Sequence, residues 1–522
     1  METAVAPTTE QLTLEEKLAQ LMFVRMGSNL PPIVTASDDE QRVAELLERC
    51  PIGGLLLFNG VWPHVRDSLT RLQAKSRVPL LVSADLERGA GQQVGGLTVF
   101  PHARAFAQLG DQAESSLRDA ISITAREALQ AGVQILFAPV ADANTNPQNP
   151  IIATRAYGED PAEVARLVAV VVEAAGQAGA LAAAKHFPGH GDTSQDSHDG
   201  QPCVDRPADE LHACELPPFR SAIQSGVPLI MSAHVSYPAL DPTGEPATFS
   251  KPILTDLLRG ELGFTGAVCS DSLLMAGARD RYQSEGQMAA AALLAGVDML
   301  LDLADPAAAV AEMAELVRSE QIPEARVNEA VGRVLKLKAK IANQAPHADP
   351  IPAEQVQEHK RTAAAIAKAA IRVVSPAGGA PPRLAPDKPT TVVLMKPFNL
   401  PSDPAQQPLA AAIQQRIPSA QYFEFGPDVD ADLRDQAVAA AQNGGQLLVA
   451  IIAKPAAWHA FGMTDPQRQL ADDLAQLDGA VIASLGVPTI LQDFPAAVPK
   501  LCTYSDVPDS QTGLADLLCP TA

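Results

Sequence analysis

At 522 residues, 47% apolar and 19% charged, the chain is long enough for two domains and able to bury a sizeable core. Its 39 basic against 61 acidic residues give a net charge of −22, the wrong sign for a nucleic-acid or anionic-membrane partner. No run nears ~18 uninterrupted apolar residues, so no membrane span is expected. The six cysteines are scattered without a C-x-x-C pair, which predicts reduced thiols and neither a zinc knuckle nor a disulfide framework. From Met1 onward there is no basic start followed by an apolar stretch, so no secretory signal is visible and a cytoplasmic location is the expectation.

Thr13-Leu14-Glu15-Glu16 forms a capping box, whose threonine and glutamate satisfy orphan helix amides. Leu18, Leu21 and Met22 continue at helical spacing, which predicts one helix through them. Short apolar runs then recur, at 53–58, 80–84, 135–140, 181–184, 229–233, 267–270 and 297–301. Each ends in a polar residue or a Gly/Pro segment, and helical stretches at 116–130, 162–177, 251–259 and 306–318 lie between them. Runs that are continuous rather than alternating suit strands buried on both faces. Repeated β-α units of this kind predict a (β/α)8-like barrel over residues 1–344, with chemistry at the C-terminal ends of its strands. Only seven strands are legible, and Asp298 interrupts the last, so an irregular barrel and an open doubly wound sheet both stay open.

The barrel region closes with a helix at 324–341. Residues 345–389, rich in Pro and Ala near their start and carrying a helix at 363–370, read as a linker and connection. A smaller α/β sandwich is expected over 390–522, with strands at 391–395, 446–453 and 479–485 and helices at 405–414, 432–442 and 466–477. No phosphate-cradling Gly-x-Gly-x-x-Gly follows any of these strands, and no cofactor is expected.

The densest chemistry lies in Lys185-His186-Phe187-Pro188-Gly189-His190-Gly191-Asp192-Thr193, followed by Asp196-Ser197-His198. Pro188 and the two glycines exclude a regular helix, which reads as an active-site loop at a strand end. Asp196 and His198 suit a proton-transfer dyad, although Asp192 or Asp199 would serve as partner equally well. His186 and His190 have the spacing of a helical zinc pair, but Pro188 and Gly189 break that geometry, so no metal is expected. Asp271, in Val268-Cys269-Ser270-Asp271-Ser272, ends a buried run, where a carboxylate could attack a carbon or merely cap the next helix. Asp85, in Ser83-Ala84-Asp85, ends another, and could hold a polyhydroxylated ligand or fix a turn. Arg155 offers a fork of donors, with an ion pair to Glu159 or Asp160 as the alternative. Trp62, Trp458 and His459 could stack on a sugar or simply pack.

Together these residues resemble glycoside hydrolase family 3, specifically its β-N-acetylglucosaminidase branch. The resemblance covers roughly residues 12–341 and adds 98–101, Phe137-Ala138-Pro139-Val140-Ala141-Asp142 and Met231-Ser232-Ala233-His234; beyond residue 345 it is loose. The Lys185 loop and Ser270-Asp271 are its specific motifs. The resemblance implies a retaining exo-hydrolase of terminal β-linked N-acetylglucosamine, from cell-wall fragments (as in peptidoglycan recycling) or chitin-derived oligosaccharides. It implies Asp271 as nucleophile and His198, oriented by Asp196, as acid/base in place of a second carboxyl. It further implies that Asp85, Arg155, Lys185 and His186 hold the sugar hydroxyls. Ser272 stands where many members carry a second acid. A phosphorylase using the same site, a β-glucosidase and a non-catalytic sugar-binding barrel are the competing readings.

Overall fold

A computed structural model describes residues 7–194, 201–342, 351–376, 378–399, 404, 406–443, 445–455 and 462–520. Asp196, His198, Trp458 and His459 therefore lie outside the described residues. The chain divides into two compact units. The first comprises Met1–Val99, Leu117–Asn149 and Gly158–His359; the second comprises Phe100–Ser116, Pro150–Tyr157 and Lys360–Ala522.

The first unit is an eight-stranded parallel barrel. In chain order its strands are β1 (Met22–Met26), β2 (Gly54–Leu57), β3 (Leu81–Ala84), β4 (Ile135–Leu136), β5 (Leu181–Phe187), β6 (Leu229–Ser232), β7 (Ala267–Cys269) and β8 (Leu300–Leu301). They pair in that order, and β8 returns to β1 through Met22–Leu300 and Phe23–Leu301. The remaining seam, β7 to β8, is held by a bridge between Cys269 and Met299 and by the Leu301 amide on Ser270 Oγ at 3.0 Å. The strands are buried along their length, as barrel strands covered by helices must be. Phe23 on β1 packs where β2 has Gly54; a Cβ there would collide with the Phe23 ring and the Leu81 carbonyl.

Three local expectations need correction. The first helix stops at Ala19, and Met22–Met26 is strand β1, the one that sequence reading did not find. Leu18, Leu21 and Met22 fit a helical period by coincidence, because three apolar residues across a helix-to-strand turn cannot distinguish the two. The run at 135–140 is strand only at Ile135–Leu136, since Pro139 has no amide for a ladder. Conversely, β5 runs on through Lys185, His186 and Phe187, so the first residues of the expected loop belong to a strand end.

The second unit is a six-stranded sheet, with strands β9 (Arg372–Ser375), β10 (Thr390–Met395), β11 (Gln421–Phe425), β12 (Gln446–Ala453), β13 (Ala480–Gly486) and β14 (Lys500–Cys502). Its order is β9-β14-β13-β12-β10-β11, parallel throughout except for β9 against β14. Strand β12 places Leu447, Val449 and Ile451 in one core and Leu448, Ala450 and Ile452 in the other. Helices cover both faces, which is the expected α/β sandwich. The unexpected strands β9, β11 and β14 are short or polar: β11 reads Gln-Tyr-Phe-Glu-Phe at the sheet edge. Among the described residues no helix is long and apolar enough to cross a membrane.

Candidate active site

The C-terminal ends of five barrel strands bring together Asp85 and Glu87, Asp142, Lys185 and His186, His234, and Asp271. Lys185 is buried, yet its ammonium donates to Asp85 Oδ1 at 2.7 Å and pairs with Glu87 Oε1 at 2.7 Å. One cation lies between two carboxylates, with Asp85 partly exposed, and charged groups of this kind suit the hydroxyls of a polyol.

Asp142, fully buried after β4, organises the start of the loop. Its Oδ1 accepts the amides of His186 at 3.0 Å and His190 at 2.8 Å, and its Oδ2 accepts His186 Nδ1–H at 2.8 Å. Burial pushes its carboxyl up, but His186 and His190 outweigh that and hold it below the usual carboxylate range. The ionised partner fixes the His186 tautomer, with Nδ1 as donor and Nε2 left for other use. Asn149 secures the next turn through Nδ2 to the His190 carbonyl at 2.8 Å.

Asp271 follows β7 and is partly exposed. Burial raises its carboxyl, while His186, His234, the Ser272 amide and Lys185 pull it down, leaving it below its ordinary value. The Ser272 amide donates to Asp271 Oδ1 at 2.7 Å. Ser272 is itself held twice: its carbonyl accepts from His234 Nε2 at 3.0 Å, and its hydroxyl donates to Asp302 Oδ2 at 2.6 Å. Asp302, at the end of β8, is clamped by Arg25 from β1 at 3.0 and 2.5 Å. Its φ of 68° is rare for a residue with a Cβ and turns the chain sharply there. The arrangement keeps one carboxylate ionised, oriented and accessible beside Lys185 and two histidines, which suits attack on an electrophilic carbon.

A family model described as "Glycosyl hydrolase family 3 N terminal domain" matches residues 13–337. The chain belongs to this family. Among curated relatives, Beta-hexosaminidase A of Pseudoalteromonas piscicida is 33% identical over 336 residues, covering 57% of this chain and 55% of that protein. Beta-hexosaminidase of Idiomarina loihiensis is 36% identical over 318 residues, covering 60% of this chain and 92% of its own length. The Beta-N-acetylglucosaminidase/beta-glucosidase of Cellulomonas fimi is 33% identical, with 65% and 59% covered, so the chain spans little more than half of two of these relatives. A solved family 3 beta-N-acetylglucosaminidase from Paenibacillus is 29% identical, covers 97% of both chains and superposes with a TM-score of 0.86. A beta-glucoside phosphorylase at 22% identity and TM-score 0.82 shares the fold.

In this family 3 chain, Asp85, Lys185, His186 and Asp271 fall within the barrel mouth. Arg155 belongs to the second unit, where its Nη1 donates to the Ile151 carbonyl at 3.1 Å. Trp62 follows β2, and its amide donates to the Gly95 carbonyl at 2.9 Å. The residues to which sequence reasoning gave no role are Glu87, Asp142, His234, Arg25 and Asp302, although Asp142 and His234 stand in quoted motifs. Glu87, Asp142 and Asp302 closely follow apolar runs, which is the signal that identified Asp85 and Asp271. His234 carries the same signal after β6.

Proposed function

We propose that this chain is a retaining, exo-acting β-N-acetylglucosaminidase that removes terminal β-linked N-acetylglucosamine from cell-wall or chitin-derived oligosaccharides. The observation that carries it is the ionised Asp271 carboxylate, fixed by the Ser272 amide and faced by His186, His234 and Lys185. Kinship with proteins named beta-hexosaminidase and beta-N-acetylglucosaminidase supports the sugar class.

In this reading an Asp271 oxygen attacks the anomeric carbon as the bond to the leaving oxygen breaks. The leaving oxygen takes a proton from His198, which Asp196 orients. The resulting glycosyl ester is then cleaved by water that gives its proton back to His198. Asp85, Glu87 and Lys185 offer charged hydrogen bonds to the sugar hydroxyls, and the Asp142-held His186 offers Nε2. Arg155 is assigned to the same hydroxyls by the family resemblance. Retention follows because each of the two successive displacements inverts the anomeric carbon, and two inversions restore its configuration.

Initial rates on an aryl β-N-acetylglucosaminide and an aryl β-glucoside test it directly. The N-acetyl sugar is expected to be preferred, and Asp271→Asn to lose at least about 10³-fold in kcat. His198→Ala should cost about 10²–10⁴-fold on a poor leaving group and much less on an activated one. Preference for the glucoside, or turnover surviving Asp271→Asn, would sink the proposal. A sugar 1-phosphate appearing in phosphate buffer would replace hydrolysis with phosphorolysis.

A further inference from the structure

Glu215 sits between the helices Ala208–Cys214 and Leu216–Gln224 of the first unit. An acid at a helix start ordinarily accepts from the second or third helical amide. Here those positions are Pro217 and Pro218, which have no N–H, and Glu215 makes no capping bond. Its side chain is buried instead: the residue is 1% exposed, and neither carboxyl oxygen has a hydrogen-bond partner among the described residues.

What it packs against is the backbone of Gly189. A Cβ built on Gly189 would overlap Glu215 Oε2 and lie 2.8 Å from Glu215 Cβ and 3.0 Å from Cδ. The φ of 149° at Gly189 also favours glycine. The Tyr237 hydroxyl donates to the Gly189 carbonyl, and the next amide, His190, donates to Asp142. One turn along the same helix, Phe219 meets Phe187 of β5 edge-on at 5.2 Å. The loop is thus seated on this helix by Phe219 and Glu215, and on its other sides by Tyr237 and Asp142.

The charges facing Glu215 come from three elements. Asp142 follows β4 and Asp192 lies on the loop; Arg206, ahead of the helices, is already committed to Asp192 at 2.7 and 2.5 Å. Tyr237, following β6, is also close, and it is buried and neutral with its pKa raised well above the usual phenol value. A carboxylate at Glu215 would be the third beside Asp142 and Asp192, with one guanidinium among them.

We propose that Glu215 is a positioning residue that, as a neutral carboxylic acid, seats the segment from Phe187 to Thr193 and thereby aligns His186. This rests on the reading of the site given above. Burial first, then Asp142 and Asp192, push its carboxyl up to about 8, so it carries a proton at neutral pH. Above that value the acid ionises against two carboxylates and the loop loses its seat.

The test follows hydrogen exchange of loop peptides, corrected for intrinsic rate, alongside kcat/KM on an aryl β-N-acetylglucosaminide. Both are measured from about pH 6 to about pH 9 on the wild type, Glu215→Gln and Glu215→Ala. Wild type should lose loop protection and kcat/KM together as pH passes the Glu215 value. Glu215→Gln, permanently neutral, should hold within about threefold of wild type near pH 6 and keep its loop protected at high pH. Glu215→Ala should lose about tenfold or more in kcat/KM at every pH. Wild-type loop protection that is flat with pH, or Glu215→Gln titrating as wild type does, would overturn the proposal even if the alanine variant fails to fold. A wild type inactive on the sugar would sink the functional reading alone, because hydrogen exchange still decides the role of Glu215.

Discussion

Asp142 shows how one buried carboxylate can order the side chains of a site around it. It is buried, takes three hydrogen bonds from two histidines, and thereby sets which nitrogen of His186 carries a proton. Replacing it with asparagine keeps the shape but substitutes a neutral amide for the anion that fixes that tautomer. Asp142→Asn is therefore expected to lower kcat/KM on the aryl N-acetylglucosaminide by about 10²-fold, with unchanged far-UV circular dichroism. A variant within about threefold of wild type would show that the His186 tautomer does not matter. In the sequence Asp142 reads as the polar end of an apolar run and of a family motif, with no role attached. Its partners lie 44 and 48 positions away, and nothing local announces them. Asp271, by contrast, is legible because it ends a buried strand and lies in the specific Ser270-Asp271 motif.

At the scale of elements, the site depends on how the end of β5 leaves the barrel. The strand carries Lys185 and His186 inward, and the chain then turns through Gly189 and Gly191. A Cβ on Gly191 would collide with the Ala143 carbonyl oxygen, a backbone atom that cannot step aside. Gly191→Ala is expected to destabilise the fold by about 1–3 kcal/mol and to raise hydrogen exchange in the loop. Urea unfolding and exchange check both; unaltered stability would mean the segment after Asp142 moves more freely than its bonds imply. The same scale explains the strand that sequence reading passed over. Strand β1 is five residues long and carries a charged residue, Arg25, in its fourth place. Arg25 belongs there because Asp302 of β8 lies beside it across the closing seam. A strand whose polar residue is satisfied by a partner 277 positions away leaves no period-based trace.

At the scale of the molecule, the barrel must close, and Asp298 is where the chain does it. Fully buried just before β8, it takes the Val268 amide of β7 at 3.0 Å and faces Arg259, Arg326 and Arg333 at 2.7, 2.8 and 3.1 Å. Removing its charge would leave three partly buried guanidiniums facing a neutral group, with Glu329 the remaining carboxylate beside Arg326 and Arg333. Asp298→Asn is thus expected to cost about 3–5 kcal/mol, read by urea unfolding. A loss under about 1 kcal/mol would mean the seam holds without its ionic hub. From sequence alone Asp298 interrupts a strand; in the barrel it joins two.

The sequence by itself determined the repeated β-α units and the chemistry at strand ends, while closure into a barrel was decided by the tertiary structure. Buried parallel strands must be continuously apolar, and polar residues after them must meet at one mouth. It also determined the family, through Ser270-Asp271 and the Lys185 loop. Only the tertiary structure decided what holds those residues: Asp142 on His186, Asp302 and His234 on Ser272, and Glu215 beneath Gly189. It likewise decided that Phe100–Ser116 and Pro150–Tyr157, with Arg155, fold with the second unit. The physical reason is the same each time. Strand burial is written in adjacent residues, whereas a hydrogen bond or an ion pair between distant ones exists only once the chain has closed on itself.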